Sequence, residues 1–354
     1  MGGVGDEMGV LASKKPALVF PGQGSQAVGM GRDLAESCPA SAEVFERADA
    51  VLGFPISRLC FDGPVEELKQ TINTQPALYV TSVAAYHAVA VPHPEPVEGA
   101  GLGGTEPRRY DSAGEVRPLF AAGHSVGEYA ALYAAGAFSF EMGLKLVRKR
   151  AELMQKAGDE NPGAMAAILG LSPEQVQEAV EKASFDRLRM TGAGARGSCR
   201  AGVVVAANFN SPVQTVISGD ERAVARASEI AIEMGAKRVV PLNVGGAFHS
   251  PLMQSAADAL VDVLKSAEIR DPAIPVVANY TADFETTAIE VRENLARQIT
   301  GSVRWVESVQ RMLDSGAEVF IELGSGNVLA GLIKRIAPEA QVHSVSDKAS
   351  LDAL

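Results

Sequence analysis

Cysteine is scarce in this chain: Cys38, Cys60 and Cys199 are scattered through 354 residues and form no Cys-x-x-Cys pair. That pattern argues against a disulfide framework and against a zinc site, and it fits a reducing cytoplasm. No apolar run approaches the roughly 20 residues that a membrane span needs. Positive charge is in deficit, with a formal net charge of −11. Nucleic acid is therefore not the expected main partner, because phosphate binding needs a basic surface. Residues 1–15 lack the apolar core of a signal peptide. Asp6 also stands where a myristoylation site wants Ser or Thr. They read as a loose extension. What remains, 47% hydrophobic and 21% charged, is the composition of a globular protein. The length suits one large domain, or a large one with a smaller companion.

Apolar runs and helical spacings alternate along the chain. Ala17 to Pro21 reads as a buried strand that ends in the loop Gly22-Gln23-Gly24-Ser25-Gln26. Helical patterns cover Ala40–Val51, Val65–Leu68, Gln75–Val91 and Phe140–Ala157. After Asn161-Pro162-Gly163 the order becomes strand Ala164–Leu169, helix Pro173–Ala183, strands Val203–Asn208 and Gln214–Ser218, helix Arg222–Gly235 and strand Lys237–Asn243. That β-α-β-β-α-β order is the ferredoxin-like arrangement. Larger α/β material follows, with strands at Pro275–Asn279, Glu318–Leu323 and Val342–Val345. Such alternation predicts a mostly parallel sheet with helices on both faces.

Two stretches break this rhythm, 92–118 and 184–202. The first is rich in Pro, Gly and charge, the second in Arg and Gly. His93-Pro94-Glu95-Pro96-Val97-Glu98-Gly99 can be encoded so that its reverse complement reads Ser-Phe-Asp-Arg-Leu-Arg-Met, which is Ser184 to Met190. Both segments are read as translated copies of one DNA element inserted in opposite orientations, tolerated as surface loops because loop extension costs little. Codons that form no inverted repeat would end that reading. A functional lid is the rival.

The chemistry centres on Gly123-His124-Ser125-Val126-Gly127, placed where the run Pro118–Ala122 gives way to a helical pattern. A serine on a strand-turn-helix elbow has its hydroxyl pushed out of the sheet, and the helix end behind it suits an oxyanion. Ser125 is the candidate nucleophile. It needs a base. His93 lies in a suspected insert, His87 sits on a core-rich helix, and His343 starts a strand. His124 neighbours Ser125 on the tight turn and is expected to point elsewhere. His249 is left, on the loop Gly245–Pro251 at a strand end, where catalytic side chains are usually presented. No acid in a convincing setting orients it. Asp186, Asp220 and Glu233 lie between Ser125 and His249 in chain order, and a backbone carbonyl could hold the imidazole instead. The Gly22–Gln26 loop lacks the lysine of a P-loop and the spacing of a dinucleotide fingerprint. It could supply half of an oxyanion hole.

With these residues in hand, the chain strongly resembles the malonyl-CoA:acyl carrier protein transacylases of fatty-acid synthesis. The resemblance runs through Phe20-Pro21-Gly22-Gln23-Gly24-Ser25-Gln26, Thr74-Gln75-Pro76-Ala77, Gly123 to Tyr129, Asn208-Phe209-Asn210-Ser211-Pro212 and Phe248-His249-Ser250-Pro251-Leu252-Met253. It implies an α/β-hydrolase-like parallel-sheet core (16–160 and 245–354) interrupted by a ferredoxin-like subdomain (161–244). It implies that Ser125 takes the acyl group and His249 is its base. The backbone N–H groups of Gln23 and Val126 would form the oxyanion hole. Arg150 would clasp the malonyl carboxylate, and Phe248 would crowd out an α-methyl branch. The main-chain carbonyl of Gln298 would hold His249, which accounts for the missing acid. Malonyl-CoA and holo-acyl carrier protein are the implied substrates, with no metal or other cofactor and no membrane, for a cytoplasmic monomer. A serine thioesterase or esterase shares the elbow. A trans-acting acyltransferase of a polyketide system and an inactive carrier-protein-binding scaffold are further alternatives.

Overall fold

The computed structural model describes residues 14–89, 118–190 and 202–354, the side chains of 185–190 excepted. The first elements are β1 (Pro16–Phe20), α1 (Arg32–Ser37), α2 (Pro39–Leu52), α3 (Ile56–Asp62), α4 (Val65–Leu68), α5 (Thr71–Ala88) and β2 (Phe120–Gly123). Two helices, α6 (Gly127–Ala134) and α7 (Phe140–Glu160), lead to β3 (Ala164–Leu169), α8 (Pro173–Met190), β4 (Val204–Ser211), β5 (Gln214–Gly219), α9 (Glu221–Glu233) and β6 (Arg238–Pro241). The last part holds α10 (Gln254–Ser266), β7 (Val276–Val277), β8 (Phe284–Glu285), α11 (Ala288–Gln298), α12 (Trp305–Asp314), β9 (Val319–Leu323), α13 (Val328–Ile336), β10 (Gln341–Val345) and α14 (Lys348–Asp352).

Six strands form the larger sheet in the order β10-β9-β1-β2-β7-β8, parallel except for β8. Its central strand β1 is buried at every position, because helices cover both faces. Leu18 and Phe20 join one apolar cluster with Tyr79 and Leu132, while Ala17 and Val19 join another with Trp305 and Leu329. A strand covered on both sides needs a continuous apolar run, and Pro-Ala-Leu-Val-Phe is one.

The second sheet is antiparallel, in the order β4-β5-β3-β6. Alternation along β3 divides its residues between two environments. Ala166 and Ile168 pack with Val176 and Val224 beneath α8 and α9, whereas Met165 and Ala167 turn toward the main core. Backbone bonds join the two units, from Phe209 N–H to Val303 O (2.9 Å) and from Val303 N–H to Ala207 O (2.8 Å). Ser302 Oγ donates to Ala206 O at 2.7 Å.

Several elements differ from expectation, and helices α1, α3 and α14 are unanticipated. Helix α5 begins at Thr71, not Gln75, and runs through Pro76. Proline has no N–H to give to the carbonyl four residues back, and that carbonyl, Ile72 O, accepts from Arg148 Nη1 instead (3.0 Å). Ser184 to Met190, expected as loop, continues α8. Phe284–Glu285 is an unanticipated edge strand of only two residues. Residues 92–117 and 191–201 of the two suspected inserts, and residues 1–13, lie outside the described residues. Among the described residues no helix is long and apolar enough to cross a membrane, and no cluster of His, Cys, Asp and Glu could hold a metal ion.

Candidate active site

The elbow is made by close packing. A Cβ on Gly123 would stand 1.9 Å from the carbonyl carbon of Gly127, and one on Gly127 would stand 2.1 Å from Phe20 O. Only glycine lets β2, α6 and β1 meet there. Ser125, at the apex, has φ 52°, a left-handed conformation that costs a non-glycine residue about 1–3 kcal/mol and persists only where its surroundings hold it. The hold is visible: Ser125 N–H donates to Asn279 Oδ1 (2.6 Å), and Asn279 Nδ2 donates to Gly123 O (2.6 Å).

His249 lies beside Ser125, with Nε2 2.9 Å from its Oγ. It too has a left-handed backbone, φ 56°. Its Nδ1 faces two carbonyl oxygens, Gln298 O at 2.8 Å and Gly301 O at 3.2 Å. Carbonyls only accept, so Nδ1 carries the proton and Nε2 is free to accept from the serine hydroxyl. Burial, and then the charge of Arg150, push the imidazole pKa down to about 3. His249 is a neutral base at ordinary pH.

Arg148, Lys149 and Arg150 part ways on α7. Arg148 reaches Glu152 and Ile72 O, and Lys149 remains exposed. Arg150 is 1% exposed. Its Nη1 donates to Gln75 Oε1 (2.7 Å), and its Nη2 donates to Gln298 Oε1 (2.8 Å) and to Ser125 Oγ (3.1 Å). The guanidinium carbon stands 5.7 Å from the centre of the Tyr129 ring. All these partners are neutral. Among the described residues Arg150 makes no ion pair, although a buried charge is costly without one.

A cavity of about 350 Å³ opens above these groups, between the two sheets. Gln23, Val126 and Phe248 line it on the side of the larger sheet, and Asn208 and Asn210 of β4 line it opposite. The Gln23 loop is pinned by Ser25 Oγ to Gly22 O (2.8 Å) and by Ser325 Oγ to Ser25 O (2.6 Å). The site sits at the carboxyl ends of β1, β2, β7 and β9, where open parallel sheets present ligand sites.

His124 does not point elsewhere. It lines the cavity, with Nε2 2.8 Å from Asn210 Oδ1 across the cleft. His87 pairs with Tyr133, and His343 is half-buried on β10. Asp220 bonds Val203 N–H and Glu233 pairs with Arg226, so neither serves the imidazole. The side chain of Asp186 lies outside the described residues.

Three polar residues of the site escaped the sequence reading: Gln75, Glu128 and Asn279. Each is buried. No local pattern marks Gln75, since its helix also carries Thr71, Asn73, Thr74, Thr81 and Ser82.

The profile of the acyl transferase domain matches residues 17–92 and 108–349. The malonyl CoA-acyl carrier protein transacylase of Bacillus subtilis is 40% identical over 338 residues, 96% of this chain and 95% of its own length. A crystal structure of an acyl carrier protein S-malonyltransferase from Vibrio cholerae superposes with a TM-score of 0.82 at 41% identity, covering 96% of this chain and 99% of that one. A malonyl-transacylase solved in complex with a type II polyketide acyl-carrier protein also reaches 0.82, at 38% identity, covering 96% of this chain and 98% of that one. With nearly the whole length aligned at such identity, the chain belongs to the malonyl CoA-acyl carrier protein transacylases of the acyl transferase family.

Proposed function

We propose that this enzyme moves a malonyl group from malonyl-CoA to the phosphopantetheine thiol of an acyl carrier protein in fatty-acid synthesis, by way of malonyl-Ser125. The observation that carries the reading is Arg150, a fully buried cation with neutral partners only, in hydrogen-bond contact with Ser125 Oγ. A substrate whose carboxylate reaches that point supplies a directly bonded countercharge, which Glu128, behind Gln298, does not, and the planar guanidinium can hold it in two places.

The steps follow from the geometry. Ser125 Oγ attacks the thioester carbon while His249 Nε2 takes its proton. Negative charge gathers on the thioester oxygen, where the N–H groups of Gln23 and Val126 would receive it. The carbon–sulfur bond breaks, and His249 returns the proton to the CoA sulfur. The pantetheine thiol then repeats the sequence on the serine ester. Phe248, 5% exposed beside His249, would crowd out a branch at the α-carbon. Gln298 O acts on the imidazole as an acid does in other serine enzymes.

We read the larger sheet as an α/β-hydrolase-like core and residues 161–244 as a ferredoxin-like subdomain, supported by its element order and by the sheet order β4-β5-β3-β6. Holo-acyl carrier protein is the expected partner. The test presents malonyl-, methylmalonyl- and acetyl-CoA with holo-acyl carrier protein as acceptor. Malonyl transfer should dominate, with a malonyl adduct found by mass spectrometry on Ser125 and absent from Ser125→Ala. Free malonate as the main product would make the enzyme a thioesterase.

A further inference from the structure

We infer that Glu128 is a positioning residue of this active site: a carboxylate buried behind the serine grips Asn279 and Gln298, the two residues on which Ser125 and His249 are mounted. This rests on the reading of Ser125 and His249 as nucleophile and base.

Glu128 opens helix α6 and is 0% exposed. An acid in a first helical turn ordinarily faces the free N–H groups of its own helix. This one turns away from them. Its Oε2 accepts from the backbone N–H of Asn279 (2.8 Å) and from Gln298 Nε2 (2.9 Å). Both donors belong to residues already engaged with the reacting pair. The Asn279 side chain bridges Ser125 N–H and Gly123 O, fixing the left-handed serine. Gln298 holds His249 Nδ1 with its carbonyl, Ser125 O with Nε2, and Arg150 with Oε1. One carboxylate oxygen thus sits one residue behind nucleophile, base and guanidinium alike. The acid absent from the imidazole stands on the far side of the glutamine.

Burial pushes the pKa of Glu128 up to about 7, against the two N–H donors on Oε2 and the charge of Arg150. The groups with charge or a titratable proton around it are Arg150, Tyr129 and Glu285. Glu285 is also 0% exposed, and its Oε2 accepts from Asn294 Nδ2 (2.9 Å). Oε1 of Glu128 and Oε1 of Glu285 are both buried with no hydrogen-bond partner among the described residues. Burial, then the charge on Glu128, push Glu285 well above the usual carboxylate range. Glu285 therefore holds its proton to higher pH than Glu128 does.

Glu128→Ala releases both mounts. Because small misplacements of reacting groups cost on the order of a hundredfold, kcat for malonyl transfer should fall about a hundredfold with KM for malonyl-CoA unchanged. Acetyl transfer should fall too, since the pair is loosened for every acyl group, and malonyl transfer at least as far, because Gln298 also holds Arg150. Glu128→Gln, whose amide oxygen keeps the two acceptor bonds without the charge, should recover about a tenth of the lost activity or more. Asn279→Ala reads the same link from its other end and should show the same loss in kcat alone. A folded Glu128→Ala with kcat within about threefold of the unaltered enzyme would overturn the inference. So would a loss seen only in KM, or only with malonyl-CoA. Failure of all three variants to fold would assign Glu128 to stability and overturn it as well. An unaltered enzyme that gives no malonyl-Ser125 would sink the proposed function; a labelled enzyme with an undiminished Glu128→Ala sinks only this inference.

Discussion

His249 and Arg150 act on each other through charge, and the effect has a sign that can be measured. Burial and the guanidinium both depress the imidazole pKa, to about 3. The base form therefore persists well below the ordinary histidine range near 6.5, and the acid limb of kcat/KM should lie below pH 6. Removing the cation lifts one of the three depressing causes, the others being burial and His124. Arg150→Ala, assayed with acetyl-CoA, should move that limb toward neutral pH; a limb that stays put would mean that the guanidinium does not set it. The same variant tests selectivity. Removing one partner of a desolvated charge pair costs about 2–5 kcal/mol, so malonyl transfer should fall between thirtyfold and several thousandfold in kcat/KM. Acetyl transfer should be spared. Arg150→Lys should restore malonyl transfer only in part, since an ammonium cannot make the two-pronged contact. Lys149→Ala, exposed on the same helix, is the control. Equal losses for both acyl groups would make Arg150 a residue of the fold.

Among the elements, the meeting of α5 with α7 shows what pattern reading reaches and where it stops. A proline favours the first turn of a helix, yet in α5 Pro76 lies in the second turn. The true start, Thr71, depends on Arg148, 72 positions beyond Pro76, lending an N–H to the stranded carbonyl of Ile72. Arg148→Ala should therefore cost about 1–3 kcal/mol in a denaturant titration, and less in a Pro76→Ala background, where the backbone N–H returns. Equal costs in the two backgrounds would detach Arg148 from the proline. The site divides in the same way. Ser125 and His249 could be singled out because an elbow and a strand-end loop are local features. Gln75, Glu128 and Asn279 could not, because their importance lies in partners such as the Glu128–Asn279 bond, made across 151 positions. Short elements were lost for want of periodicity: two residues of β8 cannot display an alternation.

At the level of the whole molecule, the two sheets share one core. Met165, Ala167, Ala207 and Val216 of the smaller sheet lie in the same cluster as Leu18 and Phe20 of the larger. Calorimetry should accordingly show one cooperative transition, and two separated transitions would contradict the shared core. The suspected inserts offer a second check. Deleting 94–115 or 191–201 should leave turnover near that of the full chain, whereas a deletion begun at Phe185 removes the end of α8 and should lower stability. Loss of turnover in a folded 94–115 deletion would make that stretch functional. The backbone bonds at Val303 have a consequence for the traffic of substrates. They tie β4 to the chain ahead of α12 beside Asn208, which lines the cavity, and Ser125 is only 8% exposed. Whatever delivers a thiol to that depth does so on a slender tether, its body parked at the rim. Tether length then becomes a gauge: an acceptor thiol on a truncated pantetheine stub must enter the cleft untethered, and should be acylated far more slowly than one carried at full reach.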